Sequence, residues 1–172
     1  MLVLAAFLRH DFIIPSQIVP FLFESFFALN VLMLAVFDWR WKLLPVEWMM
    51  VSTVIFGIAA VLTGILSPVA VVVGALVGFV FLGLQVLVSR GKWLGSGDPW
   101  FGALVGAALG WPAIPFVFYF AYVGGTIILL PLLLAGKVTR KTEIPFGPLL
   151  ALGAMTALWF GPALLAWLTQ IW

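Results

Sequence analysis

Cysteine is absent from this chain and charge is scarce. Zero cysteines exclude disulfides, thiolate metal sites and cysteine nucleophiles. Charged residues fill 8% of the 172 positions, against roughly a quarter in a soluble domain. A chain this poor in charge cannot cover a water-facing surface. One histidine, His10, leaves no histidine cluster for a metal, and the composition points to no cofactor. The formal charge of +2 is scattered through short loops and builds no basic patch, so nucleic acid is not an expected partner.

What is there is apolar. Hydrophobic residues make up 65% of the sequence. At about 20 residues per crossing the length allows about six spans and no separate soluble domain. Apolar segments run over Val19–Phe37, Val46–Leu66, Val69–Val88, Pro99–Leu109, Pro112–Ala135 and Pro148–Ile171. Backbone facing lipid must satisfy its own hydrogen bonds, so each segment reads as a helix. The expected fold class is all-α, a polytopic membrane protein with about six transmembrane helices. The fourth segment is short, which calls for an inward tilt or a polar start sunk below the membrane surface. Pro99, Pro112 and Pro148 suit helix starts, and Pro68 marks a tight turn.

The first eight residues are apolar and Arg9-His10-Asp11 follows them. A cleaved signal would place its basic residues first. The stretch reads as a stub at the interface, or as the tail of a helix that begins upstream. Residues 1–17 are set apart as stub and outer loop, and 18–172 as one membrane domain.

Loop charges orient that domain. Arg40 and Lys42 follow the first segment, Arg90 and Lys92 the third, and Lys137, Arg140 and Lys141 the fifth. The other turns are neutral. Six crossings put all three basic loops on one side, which the positive-inside rule makes cytoplasmic. Membrane lipid is a partner by construction, and the loop cations read mainly as headgroup anchors. Steering of a substrate segment is the lesser reading. Trp39, Trp41, Trp48, Trp93 and Trp100 read as an interfacial aromatic belt.

Against this background two aspartates stand out. Asp38 closes the first segment and Asp98 opens the fourth, so three crossings return them to one depth. Carboxylates at such positions are costly and usually functional. Asp98, Gly102, Gly106 and Gly110 recur every four residues, one slowly drifting stripe on a helix. Glycine stripes let helices approach closely, which turns Asp98 toward protein. Ala28 and Ala35 allow close approach near Asp38. Gly74, Gly78, Gly153 and Ala157 read as packing positions. Gly95 and Gly97 are expected to free the backbone before Asp98, near the positive end of a helix.

Two adjacent carboxylates cannot both ionise easily and share a proton. One can then deprotonate a water while the other polarises a peptide carbonyl, chemistry that needs no metal and no covalent intermediate. The bland alternative is an ordinary ion pair of each aspartate with Arg40, Lys42 or Lys92. Glu24, fourteen residues before Asp38, lies near the same face but roughly 21 Å away. It is expected to snorkel outward or to bond a neighbouring helix.

At these residues the sequence resembles the type IV prepilin peptidases, membrane aspartic proteases of the Gly-x-Gly-Asp class. Phe37-Asp38-Trp39-Arg40-Trp41-Lys42-Leu43-Leu44-Pro45 is similar to the first catalytic motif. Gly95-Ser96-Gly97-Asp98 is similar to the second. Ile144-Pro145-Phe146-Gly147-Pro148 is similar to the segment opening the last helix. The resemblance implies an endopeptidase in the cytoplasmic (inner) membrane, its active site facing the cytoplasm. Its substrate would be a prepilin or pseudopilin of a type IV pilus or type II secretion system, cleaved after a short basic leader. It assigns catalysis to Asp38 and Asp98, and positioning to Gly95, Gly97, Pro45, Pro145 and Gly147, with no metal.

The sequence departs from the family at Trp100, where Lys or Arg usually stands, and at Val46, where an acid or Asn often follows the Pro. Larger members carry a preceding helix and a segment with paired cysteines associated with methylation. That segment is not in these 172 residues, so methyltransferase activity is not expected. Two other functions use the same residues: a proton-coupled small transporter or channel, and a non-catalytic assembly subunit derived from the peptidase. Transport sites usually sit at the bilayer midplane, whereas both acids here lie at one face. Oligomeric state is not legible.

Overall fold

Six helices account for nearly all the secondary structure in the computed structural model, which describes residues 18–137 and 145–171. They are α1 (Ile18–Trp41), α2 (Val46–Leu62), α3 (Pro68–Ser89), α4 (Asp98–Leu109), α5 (Ile114–Leu134) and α6 (Gly147–Ile171). No strand occurs among the described residues. The expected stub at 1–17, the cations Arg140 and Lys141, and Ile144 lie outside the described residues.

Helix ends follow local chemistry. Ser67 caps α3, its Oγ accepting the Ala70 N–H at 3.2 Å, and Pro68 is the first helical residue rather than the turn itself. α2 stops at Leu62, a turn earlier than its apolar run suggests, because Thr63 caps it and Gly64 takes a φ of 71°. α5 begins at Ile114, two residues past the expected Pro112, and the Trp111–Pro112 peptide is cis. α1, α3, α5 and α6 are each long and apolar enough to cross a membrane, and α2 is a shorter apolar helix.

α4 is different. Its 12 residues reach about 18 Å, short of the roughly 30 Å hydrocarbon layer. Ten of the twelve are buried, so neighbouring helices shield it from lipid. α3 is the closest of these. A Cβ on Gly78 would strike the Gly102 backbone, and one on Gly74 the Gly106 and Gly110 backbone. The predicted glycine stripe of α4 is thus the seam against α3.

The same seam sets depth. Pro99 lies beside Gly83, while the Trp111 N–H reaches the Ala70 carbonyl at 2.9 Å. α4 therefore starts level with Gly83, six residues short of the end of α3, or roughly 9 Å below it. Its polar start is sunk, as its shortness suggested. At the centre, Phe27, Leu34, Met49, Leu82, Phe101, Leu104, Val117 and Leu150 form a continuous buried core drawn from all six helices.

Candidate active site

Asp38 sits three residues before the end of α1, and Asp98 is the first residue of α4. They are 7% and 4% exposed, and both line one cavity of about 990 Å³. Lys42, Lys92, Leu129 and Pro145 line it too, so the basic connections after α1 and α3 both reach it.

Each carboxylate is held by backbone. The Gly147 N–H donates to Asp38 Oδ2 at 2.7 Å, from the first residue of α6. The Gly95 N–H donates to Asp98 Oδ2 at 2.6 Å. An amide donor orients a carboxylate and leaves its second oxygen available for other work. Asp98 also sits where the dipole of α4 presents its positive end.

The glycines act through space more than through backbone freedom. A Cβ on Gly147 would lie 2.6 Å from Asp38 Oδ2, closer than real Cβ contacts come. Gly97 has an ordinary helical φ of −82°, and Gly95 is not among the positive-φ residues. The expectation that both need unusual backbone is corrected. What they provide is room. A Cβ on Gly97 would lie 2.7 Å from Leu44 Cβ, so its absence lets the loop before Asp98 rest on the first motif. Left-handed backbone occurs instead at Lys42 (φ 51°) and Arg90 (φ 54°), which end α1 and α3 and turn the chain toward the cavity. Pro45 caps α2 and borders a neighbouring pocket with Glu47 and Trp48.

Some residues fall elsewhere than expected. Lys42 and Lys92 line the cavity. Trp39, Trp41, Trp48 and Trp93 are exposed, as a belt requires. Trp100 leaves the belt. It is half-buried and meets Phe79 of α3 edge-on, ring centroids 4.9 Å apart. Glu24 is half-buried, with its Oε2 buried, and it does not line the cavity. Phe146, Leu129 and Leu149 are cavity residues that single-residue chemistry could not flag, since an apolar side chain in an apolar chain carries no signal.

Two buried acids from different helices facing one cavity define the class: a polytopic helical membrane protein built around an acid pair. The profile of the Type IV leader peptidase family matches residues 25–130, and the chain belongs to that family. A prepilin leader peptidase/N-methyltransferase of Burkholderia pseudomallei (strain 1026b) is 38% identical over 96 residues, covering 54% of this chain and 31% of the relative. One from Legionella pneumophila is 32% identical over 94 residues, with 55% and 33% covered. One from Bacillus subtilis (strain 168) is 25% identical over 136 residues, with 79% and 54% covered. The matched region thus spans about a third to a half of these relatives' length. No solved structure matches the chain.

Proposed function

We propose that this protein is a membrane aspartic endopeptidase that removes the leader of type IV prepilins or pseudopilins at the cytoplasmic face of the inner membrane. The observation that carries this reading is the shared cavity: Asp38 and Asp98, buried and each held by one backbone amide, line it together. The names of the relatives supply the substrate class. The basic connections at the cavity end supply the orientation.

The chemistry follows from one proton shared between two acids. The ionised carboxylate takes a proton from water, and the water oxygen bonds to the scissile carbonyl carbon. The protonated carboxyl donates a hydrogen bond to the carbonyl oxygen. The tetrahedral intermediate then breaks its C–N bond as the first acid passes its proton to the leaving amine. The backbone N–H groups of Gly147 and Gly95, one on each acid, favour the ionised form of whichever partner gives up the shared proton.

Family membership argues against the transporter reading, and the intact acid pair argues against the non-catalytic subunit. Detergent-purified protein incubated with a prepilin is expected to release the leader. Asp38→Asn and Asp98→Asn are each expected to abolish release while the protein remains folded. Cleavage at the wild-type rate by either variant overturns the mechanism.

A further inference from the structure

Tyr122 lies in the middle of α5, outside every motif named above. Its hydroxyl donates to Gln85 Oε1 of α3 at 2.6 Å. Gln85 is itself oriented, because its Nε2 donates to the Phe81 carbonyl one turn back at 3.2 Å. That bond occupies the amide nitrogen and turns the oxygen toward Tyr122. Phe81 then meets the Tyr122 ring edge-on, centroids 6.3 Å apart.

On its other side the Tyr122 ring packs against Phe146, centroids 5.5 Å apart. Phe146 lines the acid-pair cavity and immediately precedes Gly147, whose N–H holds Asp38. Phe146 also leads directly into α6, its carbonyl accepting the N–H groups of Leu149 and Leu150 at 3.0 Å each. A shift of the Phe146 ring therefore carries the first turn of α6 with it, including the amide on Asp38. Gly147 leaves almost no slack, since space for even a Cβ is missing between it and the carboxylate.

We propose that Tyr122, anchored by Gln85, is a positioning residue: it braces Phe146 and so fixes the Gly147 amide that orients Asp38. This rests on the peptidase reading for its kinetic consequences but not for its geometric ones. The brace links three helices. α3 provides the anchor, α5 the strut and α6 the amide, while the acid it serves comes from α1. The contact surfaces are aromatic and the anchor is one hydrogen bond on the exposed side of the helix pair, so removing the hydroxyl frees the strut without opening a large void.

The test uses the full chain in detergent. Tyr122→Phe and Gln85→Leu are each expected to lower kcat for prepilin cleavage roughly tenfold, as a small misplacement of a reacting group does, with KM within about twofold. The double variant is expected to be no slower than either single one, because both break one bond. Gln85→Glu keeps an oxygen to accept from Tyr122 and is expected to restore most of the rate. Independently of cleavage, exchange of the Gly147 amide, followed by NMR on glycine-labelled protein, is expected to quicken in Tyr122→Phe while Gly153 of the same helix keeps its protection. Losses that multiply, losses confined to KM, or an unchanged Gly147 exchange rate overturn the brace. So does equal loosening at Gly147 and Gly153, which marks general destabilisation. If the wild type cleaves nothing, the peptidase reading fails and the exchange measurement still decides the brace.

Discussion

At the scale of single residues, the site depends on what is missing as much as on what is present. Asp38 and Asp98 are legible from sequence because a carboxylate in an apolar chain is conspicuous. Their restraint is not legible, since it comes from two backbone amides that any sequence possesses. Gly147 is the sharpest case. Its missing side chain leaves room for the Asp38 carboxylate, and its N–H at 2.7 Å holds it. Gly147→Ala is expected to push that carboxylate aside and cut kcat about a hundredfold, the scale of an ångström-sized misplacement. Steady-state cleavage kinetics beside a thermal melt check it; near-normal turnover would remove Gly147 from the site.

At the scale of elements, the α3–α4 seam decides where Asp98 sits. Gly78 and Gly83 both border α4 but have unequal room. A Cβ on Gly78 meets the carbonyl carbon of Gly102 at 2.6 Å, whereas one on Gly83 meets Pro99 at 3.9 Å, an ordinary contact. Gly78→Ala is expected to force the helices apart and to cost about 1–3 kcal/mol, the usual range for overpacking. Gly83→Ala is expected to be neutral or slightly stabilising through its better helix propensity. Unfolding of both variants in one detergent discriminates them, and equal melting points would refute the seam. At the end of the same helix Arg90 occupies left-handed backbone at φ 54°, which costs a side-chain-bearing residue roughly 1–2 kcal/mol. Arg90→Gly is expected to relieve much of that strain and raise the melting temperature, a gain the same unfolding assay reads.

At the scale of the whole molecule, the basic connections after α1 and α3 meet at one end, where the cavity lies. The absence of cysteine makes orientation directly measurable. Single cysteines placed at Lys137 and at Ile65 are expected to label with a membrane-impermeant maleimide from opposite sides, Lys137 from the cytoplasm. Labelling of both from one side would break the topology and the cytoplasmic placement of the cavity together.

Apolar run lengths were enough to anticipate an all-helical membrane protein and the approximate position of all six helices, and the two conspicuous acids do line one cavity. Those properties are set by the solvent: lipid forces local hydrogen bonding and penalises charge wherever the chain enters it, residue by residue. Which side chains surround the acids was a matter for tertiary structure. Phe146, Tyr122 and Gln85 are ordinary residues of a membrane protein until packing brings them together, and Trp100 reads as interfacial until packing sets it against Phe79. Such relations depend on the distances between helices and their relative rotation, which arise from contacts between residues far apart in the chain and leave no local periodic trace.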